Sequence, residues 1–193
     1  METAVLDACI LFQGKLTNFL LHLAEQSAFD PVWSPAIHDE WTRNLLRVMG
    51  IPPEKLAYRR RMMEEAFPAA DCPPLPELVN AIEATCRTDG QRKDAHVIAT
   101  AITAQASVIV TENAVDFPDD ILSRHGLRIA TPDDFCAELY RRDPSSVLIG
   151  ARAHRASLQR PAYDQEHYLA FLADRKFGMI QTASLLWPHR NEL

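Results

Sequence analysis

Apolar residues fall along this chain in two rhythms. Ala4-Val5-Leu6, Pro31-Val32-Trp33 and Val108-Ile109-Val110 are short runs of strand length, continuous enough to be buried on both faces. Leu127-Arg128-Ile129-Ala130 predicts a fourth strand. Between these runs the apolar residues recur at helical spacing. Phe19, Leu20, Leu23 and Ala24 mark a helix over about 15–27, and Ala95, Ile98, Ala99 and Ile102 mark one over about 91–105. Ser34-Pro35 and Thr131-Pro132 read as N-caps followed by proline, opening helices to about Met49 and Arg142. Pro52-Pro53 opens another helix that ends before Pro68, and a further helix follows near 77–87. Asp89-Gly90 predicts a turn. Short strands alternating with helices place the chain in the α/β class, with a central parallel sheet flanked by helices.

The alternation stops at Asp143-Pro144-Ser145-Ser146. Beyond it the pattern is helical alone, over about 146–158, 165–173 and 176–186, with Pro161 and Gly178 as breaks. The expected organisation is an α/β domain over 1–143 and a helical C-terminal extension over 144–193. That extension is too small to bury a good core by itself.

Composition narrows the class without naming a function. A hydrophobic fraction of 47% and a charged fraction of 24% are those of a folded globular protein. No apolar run approaches the roughly 18–20 residues of a membrane helix. Glu2 and Asp7 interrupt the N-terminus where a signal peptide would be apolar. Cys9, Cys72, Cys86 and Cys136 form no CxxC pair, so the expectation is reduced thiols in a cytoplasmic protein. A net charge of −6 argues against coating nucleic acid by bulk electrostatics. The charge is uneven: residues 1–144 hold 14 of the 20 Lys+Arg and 22 of the 26 Asp+Glu, leaving the tail mildly basic.

The acids carry the chemistry. Function in parallel sheets collects at the carboxyl ends of the strands. Asp7 follows the first strand, Asp116 follows the third, Asp94 falls at the expected start of a helix, and Glu40 sits about one turn into the helix that Ser34 opens. Taken singly, Asp94 reads as an acid favoured by a helix dipole, Asp116 as an Asx-turn residue and Glu40 as a solvated helix acid. Taken together on adjacent elements, such carboxylates repel one another unless a cation compensates them. An all-oxygen cluster suits Mg²⁺ or Mn²⁺. Composition and spacing therefore support an acidic site at the end of an α/β sheet, and no more.

The stretches "AVLDACILF", "SPAIHDEWTRNL", "RKDAHVIATAI" and "VIVTENAVDFP", in this order over about residues 1–140, resemble the PIN domain, the fold of VapC-type toxin ribonucleases. The resemblance implies a three-layer α/β/α fold with a central parallel sheet. It also implies a Mg²⁺-dependent endoribonuclease, with Mn²⁺ as a possible substitute, whose catalytic and metal-binding quartet falls on Asp7, Glu40, Asp94 and Asp116. Thr111 and Asn113 would hold the fourth acid or the attacking water. Implied partners are an RNA of the tRNA or rRNA class, a cognate antitoxin that fills the acidic cleft, and a second copy in a homodimer, with no membrane. Two departures stand out. Ala8 replaces the Thr or Ser that many relatives carry after the first aspartate, and Glu112 adds an acid that could supply or perturb a ligand.

Arg43, Arg92 and Lys93 are candidate RNA contacts, whereas Arg59-Arg60-Arg61 reads as a solvated helix face paired with Glu64-Glu65. His38 and His96 are less suited to catalysis where a metal activates water. Two alternatives are a PIN fold kept for RNA or partner binding with weakened catalysis, which Ala8 suggests, and a receiver-type phosphoacceptor domain. The latter needs a lysine after a late strand, and none follows 107–110 or 127–130.

Overall fold

The computed structural model describes residues 1–193. Strands β1 (Thr3–Leu6), β2 (Asp30–Val32), β3 (Val108–Val110) and β4 (Arg128–Ala130) form one sheet in the order β2-β1-β3-β4. β1 runs parallel to both neighbours, with Val5 opposite Val32 and Leu6 opposite Val110. Ala4–Leu6 and Val108–Val110 are wholly buried, as the unbroken apolar runs require of inner parallel strands. β2 begins one residue earlier than the sequence pattern suggests. Trp33 has left it to bond a different segment, its N–H donating to Ala70 O at 3.0 Å.

The helices are α1 (Ala8–Phe12), α2 (Gly14–Glu25), α3 (Pro35–Met49), α4 (Pro53–Ala66), α5 (Pro76–Glu83), α6 (Asp89–Thr103), α7 (Asp119–Arg124), α8 (Pro132–Arg142), α9 (Pro144–Ser157), α10 (Gln165–Ala173) and α11 (Ile180–Leu186). Ser34 caps α3 as expected, its hydroxyl accepting the Ile37 N–H, and Gly50 closes that helix in the left-handed region at φ +62°. Thr131 caps α8 in the same way.

The expected turn at Asp89-Gly90 is absent, because those residues are the first turn of α6. Thr88 Oγ1 accepts the Gln91 N–H at 3.1 Å while Gln91 Oε1 accepts the Thr88 N–H at 3.3 Å, a reciprocal capping box. Asp94 therefore lies in the second turn of α6 and not the first. The helices expected over 15–27, 77–87 and 176–186 end earlier or start later than predicted, and α1 and α7 are single short elements without a periodic signal. Asp143, within the stretch where the alternation stops, follows α8 directly and caps α9, its carboxylate accepting the Ser146 N–H at 3.2 Å.

On α4, Arg60 and Arg61 pair with Glu64 and Glu65 as expected. Arg59 does not belong to a solvated face. Its guanidinium donates to Leu11 O at 2.7 Å and stands over the Trp41 ring at 4.7 Å, and burial pushes its pKa down to about 10.

The chain divides into two compact units. One comprises Glu2–Phe12 with Asp30–Ile129, and within it α6 lies against β1 and β3 while α1 lies against α3. The other comprises Met1, Gln13–Phe29 and Ala130–Leu193. There α2 and α9 approach so closely at Gly150 that a Cβ would come within 2.8 Å of His22 O. His154 is fully buried beside that contact, its Nδ1 3.0 Å from Tyr168 Oη and its ring edge-on to Phe19, while Nε2 has no partner. Burial, with His22 nearby, pushes its pKa down to about 3. The unfolded chain binds this proton below about pH 6.5 and the folded chain does not. Stability is thus retained above pH 6.5 and is lost as the pH falls towards 3, by up to about 1.4 kcal/mol per pH unit from this group. Urea midpoints at pH 7 and pH 5 should differ accordingly, and His154→Leu should flatten the difference.

Candidate active site

The register of the sheet places Asp7 and Thr111 side by side. Leu6 faces Val110, and the next residue on each strand is Asp7 or Thr111. Asp7, 5% exposed, donates its N–H to Val110 O at 3.2 Å. Its Oδ1 accepts the Ala8 N–H at 2.6 Å, and its Oδ2 accepts the Thr111 hydroxyl at 2.6 Å and the Cys9 thiol at 3.1 Å. Burial and the Asp7 charge push the Cys9 thiol up to about 12, which keeps it protonated and donating. Nothing in the spacing of the chain marks Cys9 beyond its place after Ala8. The resemblance implies that Thr111 and Asn113 hold the fourth acid or the attacking water; Asn113 meets Asp116, whereas Thr111 meets Asp7.

Asn113 links the other two aspartates. Its Nδ2 donates to Asp116 Oδ2 at 2.7 Å and reaches Asp94 Oδ2 at 3.3 Å, while its own N–H donates to Thr111 Oγ1 at 3.0 Å. Asp116 closes a 3₁₀ turn, Ala114–Asp116, in the stretch after β3. One hydrogen-bonded chain therefore runs from Asp7 through Thr111 and Asn113 to Asp94 and Asp116. Glu40, on α3, meets His96 of α6, with Oε2 3.3 Å from Nε2. His96 Nδ1 is buried without a partner. The contact between Glu40 and His96 was not legible from spacing, since the two residues come from separate helices.

Electrostatics ties the four acids together. Burial raises the Asp94 pKa from 3.8 to about 7, and the charges of Asp7, Glu40 and Asp116 push in the same direction, with His96 opposing them. Burial is the first cause of this shift and the like charges of the three neighbouring acids are the second. As the side chains stand, no three His, Cys, Asp or Glu residues are arranged to hold a metal ion. Asp7 is turned towards Thr111 and Cys9, and Asp116 towards Asn113. The donor set itself, all carboxylate oxygens, is the chemistry that a hard divalent cation takes.

The remaining candidates lie outside this chain of hydrogen bonds. Glu112 is exposed, and its backbone N–H approaches Cys9 Sγ at 3.5 Å. Arg92 pairs with Asp89 at 2.9 Å on the surface, and Lys93 and Arg43 are exposed. Arg43 lines a surface groove with Thr42, Leu46, Pro53, Leu56 and Arg60, and Glu40 pairs with His96 in preference to it.

Comparison with known proteins gives three findings. The family model for the PIN domain matches residues 1–114, more than half of the chain. A model for the VapC50 C-terminal domain matches residues 132–187. The chain is 41% identical over 61 residues to "Putative ribonuclease VapC50" of Mycobacterium tuberculosis (strain ATCC 25618 / H37Rv), a match that covers 30% of this chain and 36% of that protein. The alignment thus spans about a third of the relative's length. No solved structure matches the chain. The extent of the first match sets aside the receiver-type reading: the chain belongs to the PIN domain family, and its residues 132–187 are similar to the VapC50 C-terminal domain.

Proposed function

We propose that this protein is a Mg²⁺-dependent endoribonuclease, the toxin of a type II toxin-antitoxin pair, with Asp7, Glu40, Asp94 and Asp116 as its catalytic and metal-holding acids. The observation that carries the reading is the Asp94 carboxyl, raised to about 7 by burial and by the three other acids. The relative named as a ribonuclease supports the substrate class.

A bound Mg²⁺, or Mn²⁺ in its place, would supply a water of lowered pKa and positive charge opposite the leaving oxygen of the phosphodiester. The protein's own part is orientation. Thr111 and Cys9 fix the rotamer of Asp7, Asn113 spaces Asp116 from Asp94, and His96 holds Glu40. Arg43, Arg92 and Lys93 are exposed cations for RNA phosphates, and the surface pairing of Arg92 with Asp89 costs little to exchange for a phosphate. An RNA of the tRNA or rRNA class, an antitoxin whose Arg or Lys would neutralise the acids, and a second copy are the partners this reading entails. No helix is long and apolar enough to cross a membrane.

The purified chain should cleave RNA with Mg²⁺, stop in excess EDTA and resume when Mg²⁺ is restored. Induced expression should arrest growth, and Asp7→Asn should not. Equal arrest by both, or cleavage that persists in EDTA, would overturn the reading. RNA binding without cleavage at saturating Mn²⁺ would favour the alternative, a PIN fold kept for binding, which Ala8 suggests.

A further inference from the structure

Gly90 is a glycine in a helix whose backbone does not require one. It occupies the first turn of α6, and its φ is not in the left-handed region, which among the glycines is reserved to Gly50, Gly126 and Gly178. Glycine is the poorest helix former after proline, so alanine would favour the helix here. The space explains the choice. A Cβ on Gly90 would fall on Asp116 Oδ1, 2.7 Å from its Cγ and 3.0 Å from its Oδ2. The three nearest atoms all belong to that one carboxylate.

We propose that Gly90 is a positioning residue for the fourth acid: its bare Cα is the seat that lets the Asp116 carboxylate lie against the first turn of α6. The inference deepens the metal-site reading and rests on it for its consequence. A helix N-terminus favours an anion at this place, and Asn113 holds the same carboxylate from the other side. Asn113 also reaches Asp94, so a shift of Asp116 is transmitted to the third acid through one amide. The clash is with the end of a flexible side chain and not with backbone, which means that a substituted protein folds and Asp116 swings away.

Gly90→Ala and Gly90→Ser test this beside Asp116→Ala and the double variant Gly90→Ala/Asp116→Ala. Melting temperature should stay level or rise by a few degrees in Gly90→Ala. Its Mn²⁺ affinity, measured by calorimetry without RNA, should fall about tenfold, the scale of losing a group that orients a metal ligand. In the Asp116→Ala background the same substitution should change affinity by less than twofold, since it acts through the missing carboxylate. In the metal-free protein, the Asn113 side-chain amide cross-peaks in a ¹⁵N spectrum should move in Gly90→Ala as they do in Asp116→Ala. Unchanged cross-peaks overturn the proposal, as does an equal loss of affinity in both backgrounds. If the native chain takes up no Mn²⁺, the metal reading fails by itself, and the Asn113 cross-peaks alone decide the role of Gly90.

Discussion

Asp94→Asn should give a folded protein that melts higher than the native chain when metal is absent, yet cuts RNA about 10²–10³-fold more slowly, the scale of removing one group that stabilises transition-state charge. The two effects have one source. Asp94 is half-buried beside Asp7, Glu40 and Asp116, and ionising it there is costly enough to hold its pKa near 7. The amide keeps the shape, including an acceptor oxygen for Asn113 Nδ2, and removes the charge from the cluster. Adding Mn²⁺ should reverse the order of stability, because the native chain gains ligand-binding free energy and the variant gains less. Melting curves at pH 8 in EDTA and in Mn²⁺, with cleavage rates on the same samples, check both halves. A variant that melts lower in EDTA would show that Asp94 is held by a favourable contact and not crowded by its neighbours.

Thr111→Val should produce the second large effect. Thr111 is 1% exposed, and its hydroxyl donates to Asp7 Oδ2 and accepts the Asn113 N–H, with Cys9 Sγ 3.4 Å away as a third partner. Valine has the same shape and neither function. Asp7 would keep the Cys9 thiol on that oxygen, a weaker donor, and the Asn113 N–H would lose its acceptor. The expected loss is about 1–3 kcal/mol of stability for the orphaned groups. Cleavage should fall about 10–100-fold, the scale for groups that orient a metal ligand. Thr111→Ser restores both hydrogen bonds and should recover most of each loss. Urea denaturation and single-turnover cleavage measure the pair, and a Thr111→Val protein equal to native in both would remove Thr111 from the site.

Part of the candidate site was legible because an acid at the end of a buried strand is costly without a purpose, and Asp7 announced itself in that way. Asp116, read singly, is an Asx-turn residue in the stretch after β3, and Glu40 joins the set only through the resemblance to the PIN domain. Their hydrogen bonds were not legible, because which side chain reaches which depends on sheet register. Thr111 lies close in sequence to Asp116, but β3 lies beside β1, and Thr111 therefore meets Asp7 across 104 residues. The proline-led caps at Ser34 and Thr131 gave correct helix starts. The start of α6 was misread because Asp89-Gly90 is a strong turn signal locally, while the Thr88 and Gln91 capping box that overrides it spans the same four residues. The glycine that suggested a turn is accommodated in the helix, where its missing side chain is what matters.

The placement of β1 between β2 and β3 has a consequence for biosynthesis. Translation delivers Asp7 early, yet its hydroxyl donor Thr111 and the acid Asp116 follow only after more than a hundred further residues. At about 5–20 residues per second this interval is roughly 5–20 s. Until β3 is made, Asp7 lacks both the Thr111 hydroxyl and the strand that pairs with β1 on that side. Under the proposed function, a centre built this way would be completed only after β3 has docked beside β1.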